Sequence, residues 1–205
     1  MAGRRLYLCT PDRPDLIDFV AACIRGGVEI VQLREKSLDD RTLLARAAAL
    51  RDLCRAEGVP FILNDRPDLA LAVGADGVHV GQDDCPPGVA RRILGAESVV
   101  GLSTHSRTEL DAAGSEPIDY VSVGPVLPTA THPDRAPTGF DYVGYARDHS
   151  HVPFYVTGDA RPSTVPQLAA AGAERFVVVR WLTEATEPES AARELAGAIA
   201  AALAL

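Results

Sequence analysis

Residues 60–84 read PFILNDRPDLALAVGADGVHVGQDD and contain the pattern that decides the fold. Two short apolar runs, residues 60–65 and 77–82, flank a helical stretch that ends at Gly74. A β-branched run, a polar loop and an Ala/Leu-rich helix closed by glycine are typical of a β/α unit. Both apolar runs end in polar residues, which indicates that chemistry lies where the strands end.

The same unit recurs along the chain. The predicted strands are residues 4–10, 29–35, 60–65, 77–82, 98–104, 120–126, 153–158 and 175–180. Helical stretches lie between them, among them residues 39–57 and 188–203. Right-handed crossovers make the strands parallel, and eight of them in 205 residues favour an α/β fold of the (β/α)8 TIM-barrel type. We expect one domain over residues 1–205, and a doubly wound open sheet is the alternative.

The composition narrows the function classes. A formal net charge of −8 gives no positive field for a nucleic-acid backbone. The sequence shows no apolar segment of the length expected for a signal peptide or a membrane span, which predicts a cytoplasmic protein. The four cysteines form no C-x-x-C pair and are expected to be reduced. The sequence does not decide between a monomer and a homo-oligomer.

A cationic run follows the second predicted strand. In Gln32-Leu33-Arg34-Glu35-Lys36, the first, third and fifth residues point to one side of the strand and its extension. Active sites of such barrels lie at the carboxyl ends of the strands, so these side chains are candidates to grip a diphosphate. The alternative is a solvated charge run.

Two carboxylates end neighbouring strands. Asp65 and Asp84 are expected to approach a common point at the barrel mouth, where Mg2+ binds one or two carboxylates together with substrate phosphates. The alternative is that both residues cap helices, because proline follows each of them closely.

The roles of the histidines and of the longest loop are less clearly indicated by the sequence. His79 lies inside the fourth predicted strand and is interpreted as an inward or packed core residue, whereas His105 and His132 lie in rim loops. The long irregular stretch 127–139 is typical of a functional or mobile loop. No Ser-His-Asp order or zinc-type His/Cys spacing is present, which disfavours covalent acyl chemistry and a zinc site.

Five stretches in register resemble thiamine phosphate synthases over nearly the whole chain. They are residues 32–36 (QLREK), 59–65 (VPFILND), 75–84 (ADGVHVGQDD), 101–105 (GLSTH) and 119–129 (DYVSVGPVLPT). The resemblance implies joining of a diphosphate-bearing aminopyrimidine to a thiazole phosphate, with loss of pyrophosphate. It implies Mg2+ as the cofactor, and phosphorylated small molecules rather than nucleic acid or membrane as partners.

The resemblance also implies residue roles. The pyrimidine diphosphate would contact Gln32, Leu33, Arg34, Glu35, Lys36, Asn64, Ser103 and His132. The thiazole phosphate would contact Thr129, Ala130, Thr131, Asp159, Val179 and Arg180. Mg2+ would be held by Asp65 and Asp84, and the charge on the leaving group would be neutralised by Arg34, Lys36 and His132.

Two positions depart from the family pattern. His132 stands where the family normally has a lysine, so the charge there would depend on its surroundings. Asp159 stands where the family has a glycine near the thiazole phosphate, and an acidic side chain there needs a compensating cation. We expect Arg180 to pair with Asp159 or to bind the phosphate itself.

These departures leave other functions open. One alternative is a paralogue that uses a different phosphorylated acceptor, because a fold does not fix a function. Another is a non-catalytic protein that binds thiamine precursors. A thiazole tautomerase is less favoured, because the carboxylates and Asn64 suit a diphosphate and a metal.

Overall fold

Eight parallel strands form a closed barrel. The computed structural model describes residues 1, 3–129 and 135–204. Each strand pairs with the next along the chain, and the last pairs with the first. The strands are β1 Leu6–Thr10, β2 Ile30–Leu33, β3 Phe61–Asn64, β4 Gly77–Val80, β5 Val99–Thr104, β6 Tyr120–Val123, β7 Phe154–Val156 and β8 Phe176–Val178. The predicted TIM barrel is therefore confirmed, and the open-sheet alternative is wrong.

Helices surround the barrel. They are α1 Leu16–Arg25, α2 Asp40–Ala56, α3 Pro67–Val73, α4 Pro87–Leu94, α5 Arg107–Ala113, α6 Phe140–His149, α7 Val165–Ala170, α8 Arg180–Thr183 and α9 Pro188–Leu203. Among the residues that the structure describes, no helix is both long enough and apolar enough to cross a membrane. All eight strands are shorter than predicted. Residues such as Arg34, Asp65 and Arg180 consequently lie beyond the strands.

Side chains alternate between two cores along each strand. Leu6 and Leu8 of β1 face the layer between the strands and the helices, while Tyr7 faces the barrel interior. The interior core contains Tyr7, Ile30, Ile62, Tyr120 and Tyr155. The three tyrosine rings pack edge to face, with centroids 5.3–5.9 Å apart. This aromatic plug fills the amino-terminal half of the barrel and leaves the other half to the site.

Acidic residues fix the strand register at the amino-terminal ends. Glu29, which precedes β2, accepts the backbone N–H of Leu6 at 3.1 Å. Asp76, which precedes β4, accepts the N–H of Phe61 at 2.8 Å. Asp119, which precedes β6, accepts the N–H of Val100 at 2.7 Å. In three strand pairs, a carboxylate therefore binds an N–H group at or next to the start of the preceding strand.

Gly101 makes room for the aromatic plug. A Cβ atom on this residue would overlap the ring of Tyr120 on the adjacent strand. We therefore expect Gly101→Ala to lower the free energy of unfolding by about 1–3 kcal/mol, the usual cost of overpacking a core. Denaturant unfolding followed by circular dichroism measures the change.

Gly197 provides the matched control. It lies inside α9, and a Cβ atom there would meet nothing within 4 Å. Gly197→Ala should raise stability by about 0.5–1 kcal/mol, because alanine is the better helix former. Equal stability of Gly101→Ala and the unmodified protein would contradict the packing argument.

Candidate functional site

A cavity of about 430 Å³ opens at the carboxyl ends of the strands. Its wall contains most of the predicted site residues that the structure describes. These are Gln32, Arg34, Lys36, Asn64, Asp65, Asp84, Ser103, Thr129, Asp159, Val179 and Arg180. The predicted residues Ala130, Thr131 and His132 lie outside the described residues. The barrel therefore brings residues from seven of its strand ends to one cavity.

Leu33 and Glu35 do not line this cavity. The Leu33 side chain is fully buried in the outer core, as strand alternation requires. The Glu35 carboxylate accepts hydrogen bonds from the backbone N–H of Lys36, from that of Ser37 and from the Ser37 hydroxyl. The side chains of Leu33 and Glu35 thus face away from the cavity, and the predicted contact of these two positions with the pyrimidine diphosphate stays a prediction. One fills the core, and the other orders the loop that carries Lys36.

Asp65 and Asp84 lie in contact with each other and with Lys36. The Lys36 ammonium lies 2.7 Å from Asp65 Oδ2. Asp84 Oδ2 also accepts the backbone N–H of Gly81 at 2.9 Å. A side-chain interaction between these two aspartates raises the pKa of Asp65 and lowers that of Asp84.

The pKa values of the pair diverge for physical reasons. Burial raises the pKa of Asp65 and outweighs the opposing effect of Lys36. Burial also acts to raise the pKa of Asp84, but the hydrogen bonds from Asp65 and Gly81 and nearby cations together lower it. Two neighbouring carboxylates repel one another when both are charged, and a hard cation can neutralise them.

The helix-capping alternative for these aspartates is wrong. The N-cap of α3 is Arg66 and that of α4 is Pro86, and neither helix start receives a side-chain capping bond. Asp65 has a left-handed backbone conformation with φ of 61°, and its N–H binds the carbonyl of His79. Its carboxylate is thereby directed to the cavity rather than to a helix.

Asn64 leaves a buried donor without a partner. The side chain lies almost wholly out of solvent, yet its Nδ2 has no hydrogen-bond partner among the described residues. An unsatisfied buried amide costs about 1–3 kcal/mol. A donor left open in a cavity wall indicates a position where a ligand supplies the acceptor.

The cavity wall also contains cations in different states of pairing. Lys36 is paired with Asp65, and Arg180 is paired with Glu184 at 2.7 Å. Arg34 and Arg135 form no ion pair with any other residue that the structure describes. These two arginines therefore retain their full donor capacity for an anionic ligand.

The expected pairing between Arg180 and Asp159 is wrong. The Asp159 carboxylate instead pairs with Arg161, two residues on, at 2.8 Å. Arg180 binds Glu184 because the two lie one turn apart on α8. Asp159 has a φ of 58°, a backbone conformation that favours glycine. The acidic side chain is thus compensated locally, at some backbone strain.

The cavity floor is a continuous chain of hydrogen bonds. Gln32 Nε2 donates to the Tyr7 hydroxyl at 2.7 Å, which lies 2.8 Å from the Tyr120 hydroxyl. Tyr120 contacts His79 Nδ1 at 2.9 Å, and His79 Nε2 contacts Ser103 Oγ at 2.9 Å. The interpretation of His79 as an inward residue is confirmed. Its burial lowers its pKa to about 4.

Some cavity residues were not predicted as site residues. Tyr7 and Cys9 of β1 line the cavity, as do Ser122 of β6 and Arg135 of the following loop. Tyr7 and Cys9 could have been found from the sequence, because they alternate on β1 in the same way as Gln32 on β2 and Arg34 just beyond it. Nothing in the local pattern around Arg135 distinguishes it from a solvated loop residue.

Comparison with known proteins agrees with this geometry. Residues 6–182 match the family model described as thiamine monophosphate synthase. The thiamine-phosphate synthase of Thermosynechococcus vestitus is 44% identical over 195 residues, which is 95% of this chain but 56% of the relative. The chain therefore spans little more than half the length of that relative.

Other relatives match along their full length. The thiamine-phosphate synthase of Thermobifida fusca is 45% identical over 210 residues, covering 100% of this chain and 96% of the relative. The solved structure of thiamine phosphate pyrophosphorylase from Pyrococcus furiosus superposes with a TM-score of 0.89 at 28% identity, covering 97% of this chain and 96% of the other. The chain belongs to the thiamine monophosphate synthase family.

Proposed function

We propose that this protein is a thiamine phosphate synthase. It would join an aminopyrimidine whose methylene group carries a diphosphate to a thiazole phosphate, releasing pyrophosphate. The observation that carries the proposal is a single cavity. It combines a pair of neighbouring carboxylates with two arginines and a buried amide that have no ion-pair or hydrogen-bond partner among the described residues. Membership of the family and similarity to relatives of that name support it.

The diphosphate would lie against β2 and the carboxylate pair. Arg34 offers a planar set of donors, and Lys36 offers a mobile charge that can leave Asp65 for a phosphate oxygen. Asp65 and Asp84 suit Mg2+, which typically takes one or two protein carboxylates along with phosphates and waters. Bound Mg2+ would supply positive charge beside the leaving pyrophosphate.

The reaction requires little covalent work from the protein. The bond from the pyrimidine methylene carbon to the diphosphate oxygen would break, and the oxygen would keep the electron pair. The aminopyrimidine ring would stabilise the cation left on the methylene carbon. The thiazole nitrogen then donates its lone pair to that carbon. Arg34 and Lys36 would stabilise the charge that grows on the leaving oxygen, an effect that is large in a site that excludes water.

The thiazole phosphate would lie across the cavity, near the ends of β7 and β8. Thr129, Asp159, Val179 and Arg180 line this side. The resemblance adds Ala130, Thr131 and His132, which would complete the contacts from the loop after β6. Arg161 compensates the Asp159 carboxylate and so leaves Arg180 able to exchange Glu184 for a phosphate.

A cytoplasmic location is part of the proposal. The four cysteines are free thiols, and burial raises the pKa of Cys23 and Cys54 to about 12. Buried reduced thiols suit a reducing compartment.

The activity itself is tested by product formation. Purified protein incubated with the pyrimidine diphosphate, the thiazole phosphate and Mg2+ should form thiamine phosphate and pyrophosphate in equal amounts, measured by chromatography and a pyrophosphate assay. Pyrophosphate without thiamine phosphate would show that another acceptor is used. Absence of both products would contradict the proposal.

Metal and diphosphate binding can be measured without turnover. Mg2+ together with pyrophosphate should raise the melting temperature by several degrees, because a ligand at about 100 times its Kd adds about 2.7 kcal/mol of stability. Asp84→Asn should remove most of this shift. Asp148→Asn, which removes a surface carboxylate paired with Arg147, should retain it. An unchanged shift in Asp84→Asn would contradict the metal site.

The role of Arg180 has its own test. Arg180→Ala should raise the KM for the thiazole phosphate about tenfold and leave the KM for the pyrimidine diphosphate unchanged, since a lost charged hydrogen bond is worth about 1.5–3 kcal/mol. Steady-state kinetics with each substrate varied in turn measures both values. Glu184→Gln, which frees Arg180 from its partner, should leave the thiazole phosphate KM equal or lower. Equal KM values in Arg180→Ala and the unmodified protein would exclude this role.

A further inference from the structure

The buried hydrogen-bond chain has a fixed direction. An amide nitrogen can only donate, so Gln32 donates to Tyr7. The Tyr7 hydroxyl therefore donates its own hydrogen to the Tyr120 hydroxyl, which is the acceptor within reach among the described residues. The Tyr120 hydroxyl in turn donates to His79 Nδ1. The histidine must therefore carry its proton on Nε2, from which it donates to Ser103 Oγ. Every bond in the chain follows from the first.

The surroundings of His79 agree with this tautomer. The ring is buried and stacks on Tyr120 at 5.4 Å. Burial is the main cause of its low pKa, Arg34 lowers it further, and Asp84 opposes both. A neutral imidazole with one donor and one acceptor is what the hydrogen-bond order requires.

The two ends of the chain present opposite polarity to the cavity. At Gln32 the amide hydrogens are directed to Tyr7, so Oε1 is left as an acceptor, with only the weak Cys9 thiol at 3.5 Å. At Ser103, Oγ receives His79, and Ser122 at 3.4 Å, so its own hydrogen is available. Among the described residues, only the Ser122 hydroxyl, 3.4 Å away, could compete for that hydrogen. Gln32 therefore accepts from a ligand, and Ser103 donates to one.

We propose that Tyr7, Tyr120 and His79 are positioning residues that fix this polarity and make the site select an aminopyrimidine over the corresponding pyrimidinone. An aminopyrimidine offers amino hydrogens and unprotonated ring nitrogens, which match an acceptor at Gln32 and donors at Ser103 and Asn64. A pyrimidinone replaces the amino hydrogens by a carbonyl and protonates a ring nitrogen. The inference rests on the proposed function and adds the origin of its substrate selectivity.

Removal of the Tyr120 hydroxyl should free both Gln32 and Ser103 to exchange their donor and acceptor roles toward the ligand. In Tyr120→Phe, the Tyr7 hydroxyl can donate to a rotated Gln32 amide, which turns its NH2 group to the cavity. His79 can carry its proton on Nδ1 and accept from Ser103, which then presents a lone pair to the ligand. The variant therefore no longer favours the aminopyrimidine pattern.

The experiment compares two ligands. Kd values are measured by calorimetry with Mg2+ and without thiazole phosphate, for the aminopyrimidine diphosphate and for the same molecule with an oxo group in place of the amino group. The unmodified protein should prefer the amino compound by at least about a hundredfold, as sites built to hydrogen-bond a substrate do. Tyr120→Phe should reduce this ratio by about tenfold or more. A general loss of packing would weaken both ligands and leave the ratio unchanged.

Tyr155→Phe is the matched control. The Tyr155 ring packs against Tyr7 and Tyr120, but its hydroxyl binds the carbonyls of Met1 and Arg4 at the other end of the barrel. This variant should keep the ratio of the unmodified protein. Tyr7→Phe breaks the chain next to Gln32 and provides a second variant if Tyr120→Phe does not fold.

The outcomes separate the two hypotheses. If the unmodified protein prefers the amino compound and both chain variants keep that ratio, the positioning role is excluded while the proposed function stands. A change of ratio in Tyr155→Phe equal to that in the chain variants would also exclude it. If the unmodified protein binds neither compound, the proposed function itself fails, and the inference fails with it.

Discussion

Pairing of β8 with β1 is the constraint on which the structure depends. Leu6, Tyr7 and Leu8 lie in register with Phe176, Val177 and Val178, and these contacts turn a row of parallel strands into a closed barrel. A closed barrel has no free edge, and all its strands end on the same rim. Polar residues far apart in the sequence thereby reach one cavity. The outer core and the helices cover a barrel that already defines the site.

Closure also buries the side chains that point into the barrel. Aromatic rings fill the amino-terminal half, and Gly101 leaves space for the ring of Tyr120. Polar groups above this plug must satisfy each other, since buried polar groups without partners are costly. The result is the hydrogen-bond chain from Gln32 to Ser103, in which the direction of the first bond determines which group donates in each of the others. The amide of Asn64 is the exception, and it faces the cavity.

Much of this arrangement follows from local sequence patterns. Strand alternation identifies Gln32, Arg34 and Lys36, and the polar ends of adjacent strands identify Asp65 and Asp84, because both rules depend only on the period of a strand. Pairings within loops are not accessible in this way. Asp159 binds Arg161 rather than Arg180, and the choice depends on loop geometry and on Glu184 one helical turn away. The polar chain likewise needs the three-dimensional contacts of residues on five strands.

The charge balance of the site explains how an acidic protein can attract anions. Exposed charges more than about 8–10 Å away are screened by salt, so the net charge of −8 counts for little inside the cavity. There Lys36 is paired with Asp65, which offsets part of the negative charge of the two neighbouring aspartates, Asp65 and Asp84. The charge of Asp159 is compensated by Arg161. Arg34 and Arg135, which line the same cavity, have no carboxylate partner among the described residues. The local field is therefore positive near these two guanidinium groups, and the proposed diphosphate would gain more from that field than it would lose to the distant acidic surface.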